Sequence, residues 1–151
     1  MLNRYEQFSF IVSGINRHIQ KIEHDEMIKL GYKGAFAQYL VAIRHHSDGV
    51  TAAQLSEICE KDKAAVSRII TEMIEKGLVD RKSEKDTNYR AKLTLSAEGQ
   101  KVAEYIASRA SAAIEAMGNE LTEEQRKTLY ATLDSIAAKL QVLTLKGIPH
   151  E

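Results

Sequence analysis

A single cysteine, a single proline and no surplus of either charge set the first bounds on this sequence. The lone cysteine, Cys59, rules out an internal disulfide and fits a reducing, cytoplasmic setting. One proline and eight glycines leave room for long, uninterrupted helices. No run of 18 apolar residues occurs, so no membrane-spanning helix and no membrane partner are expected. The opening residues, MLNRYEQFSF, lack the charged-then-apolar plan of a secretory leader. With 44% hydrophobic and 28% charged residues, the chain reads as soluble and globular rather than disordered. Its 151 residues suit one ordinary domain, or two small lobes sharing a core.

Basic and acidic residues both number 21, so the chain as a whole carries no basic footprint for nucleic acid. The distribution is uneven, however. Between positions 81 and 92 stand five basic residues (Arg81, Lys82, Lys85, Arg90, Lys92) and two acidic ones (Glu84, Asp86), a local excess of three. Catalytic chemistry finds no foothold. Ser13, Ser67 and Ser96 lack a nucleophile-elbow context, no glycine-rich phosphate loop is present, and no carboxylate pair stands out. The expectation is a protein that is not an enzyme and carries no cofactor.

What the chain does have is helical periodicity interrupted once. Phe8, Ile11, Val12, Ile15, Ile19 and Ile22 recur at steps of three and four, one stripe of an amphipathic helix. Gly31 and Gly34 bracket a break, and a second helix is expected from about Ala35 to His46, with Phe36, Tyr39, Leu40 and Ile43 inward. Ser47-Asp48-Gly49 ends it as turn chemistry. Thr51-Ala52-Ala53-Gln54 predicts a capping box opening a short helix with Leu55 and Ile58 as core positions. Cys59-Glu60-Lys61 predicts a turn. Asp62 then caps a longer helix that buries Val66, Ile69, Ile70 and Met73, with Ile74 beside them, and Gly77 closes it.

After Gly77 the period changes to two. Leu78-Val79-Asp80-Arg81 and Ala91-Lys92-Leu93-Thr94-Leu95 read as strands joined by the polar loop 83–89. A long helix follows with Val102, Ile106, Ala110, Ala113 and Met117 on one stripe, broken at Gly118-Asn119. Thr122 to Gln125 is a second capping box. Its helix carries the seam Leu129, Leu133, Ile136, Leu140 and Leu143, spaced to pack along another helix. From Leu145 onward a frayed tail is expected.

Short helix, tight turn, longer helix, polar-tipped hairpin, long helix: this order is a helix-turn-helix with a wing. Burying one face of the longer helix turns Ala64, Ser67, Arg68 and Thr71 outward. Small residues allow close approach to the major-groove floor, and hydroxyls and a guanidinium can read base edges or touch phosphate. With this face go Thr51, Lys63, Ala65 and Arg81 as candidate DNA contacts.

Residues 51–99 resemble the winged-helix core of the MarR family of bacterial regulators. The resemblance is carried by Leu55, by Glu75-Lys76-Gly77-Leu78-Val79 followed by Arg81, and by the segment from Arg90 to Gly99. It implies a mainly α fold with a small β-wing. In residues it implies an N-terminal dimerisation helix (1–34), a winged helix-turn-helix lobe (35–99) and C-terminal dimerisation helices (100–151), all in one continuous domain. It places Ser67 and Arg68 on the recognition helix and matches Arg90 to the wing arginine that enters the minor groove. The aspartate that usually braces this arginine from two positions earlier is Asn88 here, next to Tyr89, with Asp86 as an alternative brace. Lys85 and Lys92 read either as phosphate contacts or as solvated wing charges.

The resemblance further implies terminal helices intertwined in a homodimer, an alternative to packing the same stripes within one chain. A symmetric dimer implies double-stranded DNA with a palindromic operator, its half-sites about 34 Å apart. Repression is the default mode, because a dimer seated on a promoter blocks polymerase without further contacts. A small-molecule effector is also implied by the family. No metal is expected, since the five histidines lack ligand spacing and His45 and His46 suit a helix C-terminus. The other readings are a metal bound by His18 with His45 or His46, a redox role for Cys59, or a winged-helix dimer serving as a protein-interaction module.

Overall fold

A computed structural model describes residues 3–82 and 90–150. Its elements run α1 (Arg4–Lys29), α2 (Phe36–Arg44), α3 (Ala52–Ile58), α4 (Lys63–Glu75), β1 (Val79–Lys82), β2 (Lys92–Leu95), α5 (Ala97–Gly118) and α6 (Glu123–Lys146). The fold is mainly α with one small antiparallel sheet, as the sequence implied. Chain packing divides it into two compact units, residues 1–111 and 112–151.

The first unit contains the core. Phe36, Tyr39, Leu40 and Ile43 of α2, Leu55 of α3, and Val66, Ile70 and Met73 of α4 are all buried together. Met27 of α1, Leu93 of β2 and Ile106 of α5 close the same cluster. Burying such side chains contributes about 1.5–3 kcal/mol each relative to exposure, which is what holds the short elements in place. One expected core position is corrected. Ile58 is exposed, whereas Cys59, one helical turn from Leu55, packs against the cluster. In a seven-residue helix the i+4 neighbour of the buried leucine shares its face, and the i+3 residue rotates away.

Local chemistry fixes the helix ends. The capping box at Thr51 is complete: its hydroxyl accepts from Gln54 N at 3.2 Å, and the Gln54 side chain accepts from Thr51 N at 2.9 Å. Asp62 accepts from Ala65 N at 2.8 Å, and Thr122 and Gln125 form a further box. The turn at 59–61 puts Glu60 at φ +52. Gly77 takes φ +75 after α4, the left-handed geometry that only glycine adopts without strain.

The sheet pairs Val79 with Leu95 through Lys82 with Lys92. A third segment joins it, because Val50 N donates to Leu93 O at 3.1 Å and Leu93 N donates to Val50 O at 2.8 Å. The first turn of α5 crosses the start of the hairpin so closely that a Cβ on Gly99 would stand 1.9 Å from the Leu78 carbonyl oxygen. The expected hairpin loop, with Lys85 and Asn88, lies outside the described residues.

A polar node ties α1 to α5. Glu26 is buried, receives Lys29 Nζ at 3.0 Å and the Tyr105 hydroxyl at 3.3 Å, and lies 3.6 Å from Arg109 Nε. The Lys29 ammonium, with Arg109 adding to it, holds the Glu26 carboxyl below the usual carboxylate range.

Two apolar stripes stay uncovered. On α1, Phe8, Ile11, Val12 and Ile15 are exposed. On α6 no residue is buried, and Leu129, Leu133, Leu140 and Leu143 of the seam are all exposed. Met117, expected on the inward stripe of α5, is exposed too. The helix α6 runs on to Lys146, two residues into the expected tail.

Candidate nucleic-acid interface

The rotation of α4 about its axis is set from inside. Val66, Ile70 and Met73 are buried, so Ala64, Ser67, Arg68 and Thr71 face outward. Asp62 fixes where the helix starts, and the preceding turn fixes its angle to α3. On the exposed face, the Thr71 hydroxyl donates to Ser67 O at 3.0 Å. Its oxygen therefore remains available as an acceptor, while its proton is committed to the helix backbone. Ala65 is half-buried rather than fully outward. A cation on the turn before α2, Lys33, pairs with Glu72 on α4.

A groove of about 630 Å³ opens between the starts of α3 and α4 and the wing exit. Thr51, Lys63, Ser67 and Arg90 line it, with Gln54 and Ala91 among their neighbours. Four residues singled out in sequence thus converge from three separate elements. Arg90 sits at φ +59, a left-handed backbone that costs a non-glycine residue about 1–2 kcal/mol. That strained turn delivers the chain from the wing into β2 beside the groove.

Arg81 and Lys92 are exposed on the two strands, and neither lines the groove; Ala64, Arg68 and Thr71 lie outside its lining as well. Lys85 and Asn88 fall outside the described residues. Sequence reasoning passed over Gln54 as a groove residue, having used it only as a helix cap. Its position was the signal, since the same side chain that closes the capping box stands at the mouth of the motif. Val50 was missed as well, because a single residue pairing with a distant strand leaves no periodicity.

Cys59 is half-buried, and burial pushes its thiol pKa up. A protonated thiol is a poor nucleophile toward oxidants, which counts against the redox reading. His45 is the C-cap residue of α2 through its backbone, and His46 Nδ1 lies 2.8 Å from Ala42 O. Among the described residues, no three His, Cys, Asp or Glu side chains gather as a metal-holding group. No helix among them is long and apolar enough to cross a membrane.

A model of the MarR family matches residues 30–87. In structure, the chain is similar to wild-type apo MarR from E. coli, with TM-score 0.68 and 18% identity over 85% of this chain and 95% of that one. An uncharacterised SlyA-like transcription regulator from Listeria monocytogenes gives TM-score 0.69 and 23% identity, covering 93% of this chain and 95% of that one. A variant of MepR from S. aureus, bound to an oligodeoxyribonucleotide, gives TM-score 0.58 and 19% identity over 88% and 97%. No curated protein matches the chain.

Proposed function

We propose, from the match of residues 30–87 to a model of the MarR family, that the protein is a sequence-specific DNA-binding transcriptional regulator. In this reading it represses transcription from the cytoplasm, without catalysis, by occupying a palindromic operator as a homodimer, and a small-molecule effector releases it. The observation that carries the proposal is the convergence of Thr51, Lys63, Ser67 and Arg90 on one groove.

Ser67 and Arg68 reach base edges in the major groove, with Ala64, Ala65 and Thr71 allowing close approach. Thr51 and Lys63 hold backbone phosphates on one side. Arg81, Lys85 and Lys92 hold them along the wing. Arg90 enters the minor groove, with Asn88 among the wing residues that meet DNA. The oligonucleotide in the MepR variant structure belongs to that protein; it supports the same use of the fold here. Homodimerisation is supported by the uncovered apolar stripes of α1 and α6.

Selection of bound duplexes from a random pool at near-physiological salt tests the proposal. A two-fold symmetric consensus is expected, bound with an affinity that falls steeply as salt rises, because phosphate contacts release counterions. No consensus and no salt slope would overturn it in favour of a protein-interaction module. On the selected site, Arg68→Ala is expected to cost about 1–3 kcal/mol at one base position. A uniform loss on all sequences would make Arg68 a phosphate contact instead.

A further inference from the structure

The base of the wing is joined to the end of α4 through one hydroxyl. Ser96, half-buried, follows β2 and precedes α5. Its Oγ donates to the Gly77 carbonyl at 2.5 Å and accepts from Gly99 N at 2.9 Å. The same group thus satisfies a carbonyl at the C-terminal end of α4 and an orphan amide in the first turn of α5. Backbone bonds frame it: Leu78 N donates to Met73 O at 2.9 Å, and Ser96 N donates to Leu78 O at 3.0 Å. Gly99 allows the close crossing that brings these groups together.

We propose that Ser96 is a positioning residue for the wing, resting on the DNA-binding reading above. Its bridge from Gly77 to Gly99 sets the angle at which the hairpin ending in Arg90 leaves α4. The hairpin, its strands paired from Val79 with Leu95 to Lys82 with Lys92, is held to the lobe by Val50 at Leu93, by the backbone bonds at Leu78 and by the Ser96 hydroxyl at its end. Removing the hydroxyl leaves that end to the backbone bond from Ser96 N to Leu78 O, which loosens the angle of the hairpin. Arg90 stands six residues before Ser96. That is roughly 20 Å of extended chain, so a tilt of about 10° at the base displaces the arginine by roughly 3 Å. A displacement of that size is the length of a hydrogen bond, enough to take a guanidinium out of a narrow minor groove.

The bridge can be separated from simple helix capping by the choice of substituent. Threonine keeps both a donor and an acceptor. Alanine keeps neither. Glycine also lacks the hydroxyl, yet as an N-cap it serves a helix nearly as well as serine.

The test compares the full chain with S96A, S96G and S96T on a duplex recovered by the selection. Minor-groove and backbone protection by the wing is read with hydroxyl radicals, and major-groove protection by α4 with guanine methylation. S96A and S96G are expected to bind roughly five- to tenfold more weakly. Both should lose the wing protection while keeping that of α4, and S96T should restore it. Should S96G, folding as stably as the unaltered protein, keep full wing protection, Ser96 is only a cap and the proposal falls. Loss of both protections in parallel in S96G would overturn it too, because the wing would then not be moved separately. If the unaltered chain protects no duplex, the DNA-binding reading fails and this inference fails with it.

Discussion

The winged lobe and the terminal helices are built from the same residue types and end in opposite states. In the lobe, Phe36, Leu40, Leu55, Ile70 and Met73 are each no more than 1% exposed. On α6, Leu133 is 42% and Leu140 52% exposed, and on α1 Phe10 reaches 72%. Each buried leucine realises about 1.5–3 kcal/mol of hydrophobic stabilisation, and each exposed one forgoes much of it. The lobe is therefore stabilised by its own packing. The stripes of α1 and α6 carry unrealised burial, which the proposed dimer would recover.

The largest test of this contrast is a cavity in the lobe. Phe36→Ala removes a fully buried ring whose centroid lies 6.5 Å from that of Tyr32. It should cost about 3–5 kcal/mol of unfolding free energy in a denaturant titration. A cost under 1 kcal/mol would mean that the lobe core is not the main source of stability.

Next in size is a charge on the uncovered seam. Leu133→Asp places a carboxylate where the proposed dimer buries a leucine. Sedimentation equilibrium should show self-association weakened by at least about tenfold, with the helical content of the lobe retained. An unchanged association constant would move the dimer interface away from α6.

A smaller effect is expected at the junction of lobe and groove. Thr51→Ala breaks the capping box, and the denaturation midpoint should fall by an amount equivalent to about 1 kcal/mol. Because Thr51 also lines the groove, operator affinity should fall further than the stability loss explains. Equal losses would confine Thr51 to capping.

The subtlest test is acid. The Glu26 carboxyl is held below its ordinary value, so the folded state favours the ionised form. Its contribution is full above the unfolded carboxylate value of about 4.3, and is lost as pH falls through the lower folded value. Asp25, held down first by Lys21, acts in the same direction. Stability measured from pH 7 to pH 3 should thus decline, and Glu26→Gln should flatten the lower part of that decline, leaving the Asp25 share. An unaltered slope would show that the node linking α1 to α5 does not couple folding to protonation.

Much of this molecule was legible because the relevant signals are local. A capping box spans four residues, and an amphipathic stripe repeats every three or four, so helix starts at Thr51, Asp62 and Thr122 follow from short-range hydrogen bonding. The outward face of α4 followed from its inward one. Ile58 was misplaced for a related reason: over two turns of helix, spacings of three and four both look apolar, and only packing selects between them. The Glu26 node escaped notice since its partners Tyr105 and Arg109 lie about 80 positions away. Nothing in the neighbourhood of Glu26 marks it as buried.

By itself, then, the sequence determined the helices, the turn chemistry of Glu60 and Gly77, the two-strand alternation, and the residue set offered by α4. Each depends on interactions within a few residues. Tertiary structure decided the rest: that Thr51, Lys63, Ser67 and Arg90 share one groove, that Val50 and Ser96 hold the same strand, and that Gly99 meets Leu78 backbone to backbone. These are meetings of residues far apart in the chain. They arise only when the hydrophobic core fixes the angles between elements, and no local pattern encodes an angle.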